Sequence, residues 1–232
     1  MAAVVDQSVL AAGVDSLAEG FHDARRRRLA YAALKRALDM AVAITLLVLL
    51  LPAFALIGLA ILLDTRGPVF YRAARVGRHG EQFSVVKFRS MCAGADAGAH
   101  AAFVRSLMTE GSTCTVYKVP NDRRITRVGA VLRRTSLDEL PQLWNVLCGQ
   151  MSLVGPRPDV PYAAADYAPW MRRRLEVKPG ITGLWQVSGR SRLSLLDMYR
   201  LDLAYADDAS LLLDLRILVR TVPAVLRVDG AA

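Results

Sequence analysis

Cysteine and histidine are scarce in this chain. Three cysteines (Cys92, Cys114, Cys148) and three histidines (His22, His79, His100) are spread over 232 residues with no C-x-x-C pair and no metal-ligand spacing. That scarcity argues against a disulfide scaffold and a structural zinc site. The glycine-rich stretch around residue 180 contains neither G-x-x-x-x-G-K-S/T nor G-x-G-x-x-G, so it is neither a Walker loop nor a dinucleotide fingerprint. No internal repeat or low-complexity linker divides the chain, and its length suits one domain of ordinary size with a small appendage. Acidic residues are in deficit, 21 against 30 Lys and Arg, for a formal net charge of +9. Such a charge suits a phosphate-bearing partner: nucleic acid, anionic lipid or a small phosphorylated substrate. No helix-turn-helix or zinc-finger spacing supports nucleic acid, and none is expected as a partner.

Charge is wholly missing from Met40 to Leu63, 24 residues in which Thr45 is the one ordinary polar side chain. As a straight helix this run measures about 36 Å, against a hydrocarbon core of about 30 Å. A buried core helix is usually shorter and apolar on one stripe, which favours membrane insertion. Arg25 to Arg28, Lys35 and Arg36 precede the run, and Arg66, Arg72, Arg75, Arg78, Lys87 and Arg89 follow it. The positive-inside rule places both flanks in the cytoplasm. Pro52, at mid-run, deletes a helical hydrogen bond. Together these predict a helix-break-helix that enters and leaves by one face, with Asp39 at headgroup level beside Lys35 or Arg36. The expected organisation is a flexible arm over 1–24, a basic interfacial helix over 25–38, a re-entrant helix over 39–64 and a compact cytoplasmic domain over 65–228.

In the later part, Gln82 to Phe88 alternates like a strand, and residues 93–110 read as an alanine-rich helix. A loop with a possible strand over 115–118 follows, then helical stretches at Asp138 to Leu147, Ala163 to Glu176, Leu193 to Ala206 and Leu211 to Leu226. The fold class is α+β and mainly helical.

Three clusters have the composition for chemistry. Asp138 and Glu139 are adjacent carboxylates following Arg133 and Arg134. Two readings fit them. Ser136, three residues before Glu139, makes a capping box at a helix start; alternatively, two neighbouring carboxylates hold a hard divalent ion while one attacks phosphorus. Arg157, between Pro156 and Pro158, suits either a phosphate-facing guanidinium or a rigid structural loop. In Lys178 to Arg190, three glycines permit close backbone approach, and Lys178 and Arg190 are candidates for phosphate contact.

Taken in order, several motifs closely resemble the bacterial sugar transferase family, the monotopic phosphoglycosyl transferases. They are Lys35-Arg36 with Asp39, the proline-broken apolar helix, Gly67 to Arg72 with Arg75-Val76-Gly77, Lys87 to Met91, Asp122 to Gly129, Ser136 to Asn145, Ser152 to Pro158 and Lys178 to Arg190. The resemblance implies transfer of a sugar 1-phosphate from a UDP-sugar, glucose or galactose favoured, to undecaprenyl phosphate at the bacterial inner membrane, with release of UMP. It makes Asp138 the nucleophile, gives Glu139 a share in holding Mg2+ beside it, and makes Arg133, Arg157, Lys178 and Arg190 phosphate-facing candidates. It implies that Lys87 to Met91 docks the catalytic fold against the membrane helix. It also implies anionic lipid as a contact, downstream glycosyltransferases as partners, and a first membrane step in exopolysaccharide, capsule or O-antigen synthesis. Leu51 stands before Pro52 where small members of the family often carry serine, so the helix break lacks a hydroxyl. The rival expectations are a noncatalytic scaffold and a membrane-tethered binding protein for anionic lipid or nucleic acid.

Overall fold

The structure is a computed structural model that describes residues 7–92 and 124–226. The expected helix over 93–110 and strand over 115–118 lie outside the described residues. The chain divides into two compact units, Met1–Leu38 and Asp39–Ala232. Helix α1 (Gln7–Leu49) begins well inside the stretch expected as a flexible arm, and its backbone is continuous through residues 25–38. Helix α2 (Leu51–Asp64) follows after a break at Leu50, and the helices on either side are bent by 60°. Pro52 falls in the first turn of α2, where an amide hydrogen would have no intrahelical partner, so the missing N–H is harmless. The backbone stays bonded across the bend, because the Leu50 amide donates to Leu46 and the Phe54 amide donates to the Leu50 carbonyl. No single helix among the described residues is long and apolar enough to cross a membrane; the bent pair passes that test together.

One stripe of α2 is occupied by protein. Ile61 packs with Phe88 and Leu132, flanked by Phe54 and Ile57. Another part of the apolar run is bare: Val48, Leu49, Leu51, Leu56, Leu59 and Leu63 are all more than half exposed. Asp39 is buried and accepts the Leu153 amide hydrogen at 3.0 Å. It is therefore an internal anchor of the fold, a role that its place beside Lys35 and Arg36 does not announce.

Strands β1 (Phe70–Val76) and β2 (Gln82–Phe88) form an antiparallel hairpin that pairs Phe70 with Phe88 and Val76 with Gln82. Helices α3 (Arg127–Thr135) and α4 (Gln142–Leu147) pack behind it, joined by a tight 3-10 turn at Leu137–Glu139. The single helix expected from Asp138 to Leu147 is split because Pro141 has no amide hydrogen to give back to the preceding turn. Strands β3 (Ser152–Val154) and β4 (Gly180–Thr182) pair in parallel. Between them lie α5 (Pro161–Ala165) and a 3-10 stretch, Pro169–Glu176. Pro169 forces Ala168 into an extended conformation and so interrupts the longer helix expected there. Helices α6 (Leu184–Ser188), α7 (Leu195–Asp208) and α8 (Leu211–Leu226) complete the described fold.

The main core joins Ala43 of α1, Val85 of β2, Leu143 and Val146 of α4, Met151 to Val154, Tyr205 and Ile217. Asn145 fixes α4 to β2, accepting the Val86 amide hydrogen at 3.0 Å and donating to the Ser84 carbonyl at 2.7 Å. A buried amide satisfied in this way sets the register of a helix against a strand edge. The consequence is that the Leu137–Glu139 turn faces the end of β2 that carries Lys87.

Candidate active site

Helix α3 ends at Ser136, which adopts the left-handed conformation (φ 59°, ψ 15°) unusual for a residue with a Cβ. That reversal drives the next three residues into the 3-10 turn and turns both carboxylates inward. The Ser136 side chain makes no capping bond, and the Glu139 side chain is committed elsewhere, so the capping-box reading of Ser136 and Glu139 is not realised.

Glu139 is held by two cations. Lys87 Nζ donates to Oε1 at 2.7 Å, Arg157 Nη1 donates to Oε2 at 2.9 Å, and Arg157 Nη2 also donates to Oε1. This is a two-pronged guanidinium–carboxylate pair with an ammonium on one oxygen. Burial alone would raise the Glu139 carboxyl, but the charges and hydrogen bonds of Arg157 and Lys87 outweigh it and hold the group well below its ordinary range. Asp138 is in the opposite condition. It is 8% exposed, and no hydrogen bond reaches its carboxylate among the described residues. Burial raises its carboxyl, with the nearby Glu139 charge adding to the effect and Lys87, Arg157 and Arg133 opposing it. The two adjacent carboxylates are thus driven apart, one clamped and held ionised, the other without a hydrogen bond among the described residues.

The other sequence candidates sort clearly. Arg157 is part of the cluster. Arg133, in the last turn of α3, acts on Asp138 through its charge. Arg190, itself left-handed (φ 53°), lies within electrostatic reach of Glu139 and Arg157, and its buried Nη1 makes no hydrogen bond among the described residues. Lys178 enters through its backbone: a Cβ on Gly155 would collide with the Lys178 carbonyl, and one on Gly180 with Gly155. The glycines of this stretch thus let the chain approach itself, closing β4 onto the loop that leads to Arg157. The Lys87 to Met91 segment divides in two. Arg89 docks onto the end of α2, donating to the Thr65 and Arg66 carbonyls at 2.7 and 2.9 Å, whereas Lys87 points into the carboxylate pair. Lys87 is the site residue that motif reasoning assigned to docking. Its signal was a lone lysine inside Val85-Val86-Lys87-Phe88, where an unpaired charge has no place.

Among the described residues no cluster of three or more His, Cys, Asp or Glu side chains could hold a metal ion. An ion here would rely on the carboxylate pair and on oxygens brought by a substrate.

A buried, charge-split carboxylate pair with Arg133, Arg157 and Arg190 within electrostatic reach sits on a mainly helical α+β scaffold. The chain belongs to the bacterial sugar transferase family, whose model matches residues 30–228. It is 41% identical over 198 residues to the UDP-galactose-lipid carrier transferase of Erwinia amylovora, covering 85% of this chain but 41% of that protein. It is 40% identical over 191 residues to the exopolysaccharide production protein ExoY of Sinorhizobium fredii, covering 82% of this chain and 84% of the relative. It is 40% identical over 206 residues to the UDP-glucose:undecaprenyl-phosphate glucose-1-phosphate transferase of Caulobacter vibrioides, covering 85% of this chain and 71% of the relative. The chain thus spans about two fifths of the Erwinia protein's length and most of the other two.

Proposed function

We propose that this protein transfers a sugar 1-phosphate, glucose or galactose, from a UDP-sugar to undecaprenyl phosphate and releases UMP, opening the synthesis of an exopolysaccharide, capsule or O-antigen. The observation that carries the reading is the contrast inside the pair: among the described residues Asp138 has no hydrogen-bond donor, while Glu139 is clamped by Lys87 and Arg157. An Asp138 oxygen attacks the sugar-bearing phosphorus, the bond between the two phosphates breaks, and UMP departs with its electron pair. The enzyme then carries an aspartyl phosphosugar. An oxygen of undecaprenyl phosphate attacks the same phosphorus, frees the Asp138 carboxylate, and leaves a lipid diphosphate sugar. Arg133, Arg157 and Arg190 offset the charge that otherwise repels an anionic nucleophile from a diphosphate.

Magnesium fits this donor set through Asp138, whose oxygens accept no hydrogen bond from the described residues, and through Glu139 once Lys87 or Arg157 yields one oxygen. When bound it would supply Lewis-acid polarisation of the phosphoryl oxygens. For attack Asp138 must be ionised, and its carboxyl is raised from 3.8. The first half-reaction therefore falls off as pH drops through a value above 3.8, rather than at the ordinary aspartate value. The test is purified protein in detergent with Mg2+ and a panel of UDP-sugars, read by UMP release and by label passed to undecaprenyl phosphate. Expected are transfer from at least one UDP-hexose and that acid limb. No transfer across the panel would sink the reading.

The bent α1–α2 segment is proposed to enter and leave the bacterial inner membrane from the cytoplasmic face, with anionic headgroups against the flanking arginines. Support comes from the exposed apolar side chains of the run, the 60° break and the basic flanks. Downstream glycosyltransferases would take the lipid product. After the native cysteines are replaced by serine, single cysteines at positions 36 and 66 should react with a membrane-impermeant maleimide only from the cytoplasmic side. Reaction of position 36 from the outside would overturn this topology.

A further inference from the structure

Behind Arg157 lies a second, fully buried set of charges that no part of the proposed reaction uses. Arg174, 4% exposed, sits in the Pro169–Glu176 stretch between the rings of Tyr167 and Tyr199, its guanidinium carbon 5.6 and 4.6 Å from their centroids. Its Nη1 donates to Asp159 Oδ2 at 3.1 Å and to the Tyr167 hydroxyl, and its Nη2 and Nε reach Asp202 Oδ2 at 2.5 and 3.1 Å. Nη2 also donates to the Arg157 main-chain carbonyl at 2.8 Å. Asp159 closes the set: Oδ2 accepts the Tyr199 and Tyr167 hydroxyls at 2.6 and 2.9 Å, and Oδ1 accepts the Val160 amide. Its main-chain carbonyl accepts the Val76 amide hydrogen at 2.9 Å, tying the loop to the end of β1.

Two carboxylates, one guanidinium and two phenols are costly to bury, and a core of apolar residues would hold the same elements as well. What such a set gives is direction. The segment Gly155-Pro156-Arg157-Pro158-Asp159 has its backbone restricted by two prolines, is anchored at Asp159, and is held at the Arg157 carbonyl by Arg174. The long Arg157 side chain therefore leaves a fixed main chain to make its two-pronged contact with Glu139.

Resting on the reading that Asp138 and Glu139 are the reacting centre, we infer that Arg174 is a positioning residue. Held by Asp159, Asp202, Tyr167 and Tyr199, it fixes the Arg157 backbone so that the Arg157 guanidinium stays on Glu139 and leaves Asp138 free. Arg174 touches neither carboxylate of the pair in this arrangement and acts through Arg157.

Two measurements on the full chain test this. The first is turnover-independent: modification of individual arginines by phenylglyoxal without Mg2+ or substrate, read by peptide mass spectrometry. In Arg174→Gln, Arg157 should react several-fold faster than in wild type, while Arg89, docked far along the chain onto α2, keeps its rate. A rise at both arginines, or at neither, overturns the inference, since general loosening would expose both. The second is kinetic. Arg174→Gln should lower kcat by about 10- to 100-fold, the penalty of a small misplacement near the chemistry, with KM for the UDP-sugar much less affected, and Arg174→Lys should recover part of it. In an Arg157→Lys background the Arg174→Gln penalty should largely vanish; an equal penalty in both backgrounds would mean independent roles. If Arg174→Gln does not fold, Tyr199→Phe and Asp202→Asn each remove one support and should move both readouts in the same sense, less far. Should wild type turn over no UDP-sugar, the proposed function falls while the modification experiment still decides this inference.

Discussion

Replacing Asp138 by Asn is expected to abolish labelling of the protein by a UDP-sugar carrying radioactive phosphate beside the sugar, and to lower kcat by about 10⁴-fold or more, the scale on which loss of a nucleophile acts. The same variant should melt at or above the wild-type temperature. Asp138 is buried and accepts no hydrogen bond from the described residues, so removing its charge leaves no donor unpaired. Its carboxyl is raised by burial, so the fold disfavours the ionised form that the chemistry requires. A neutral amide of the same shape relieves that strain. Stability kept or gained with activity lost marks a group retained for reaction rather than for the fold. Label that persists on the Asp138→Asn protein would remove Asp138 from the nucleophile's role. Unchanged activity with a lower melting temperature would make it a structural acid.

How much of this could be read from the residues depends on whether the information was local. A break beside Pro52, the β2 strand and the two final helices were legible, because proline chemistry and apolar periodicity are properties of a short window. The Asp138–Glu139 pair could be located but not interpreted from mechanics alone, since a capping box uses the same spacing. Only the left-handed Ser136 and the partners of Glu139 choose between the two readings. Lys87 lies 52 residues before Glu139, and Arg174 lies 17 after Arg157 across a loop and a short helix. No pattern in a short window announces such pairings. Asp39 is a case of the same kind: beside Lys35 and Arg36 it reads as an interfacial acid, and its burial and its partner Leu153, 114 residues away, are facts of packing.

Replacement of Glu139 by Ala should do the reverse of the Asp138 change and damage the fold as well as the reaction. Lys87 and Arg157 would face one another with the shared carboxylate gone; their side chains are 17% and 35% exposed. Breaking a buried ion pair by removing one partner costs about 3–5 kcal/mol, and the partial exposure of Arg157 places this case at the lower end. For a chain of this size, about 3 kcal/mol corresponds to a melting temperature lower by roughly 6–12 °C. The sign of the pH dependence follows from Glu139 being held well below its ordinary value of 4.5. Its contribution is fully present above 4.5 and is lost as pH falls toward its lowered value in the folded protein. The gap in stability between wild type and Glu139→Ala should therefore be constant near neutrality and narrow in acid below about 4.5. Replacing Lys87 by Met in the Glu139→Ala background should recover part of the loss, because it removes one of the two stranded cations. Denaturant melts of the three variants from neutral to acid pH would check this. A gap that widened in acid, or a double variant no better than the single one, would show that Lys87 and Arg157 do not depend on Glu139 in the folded protein.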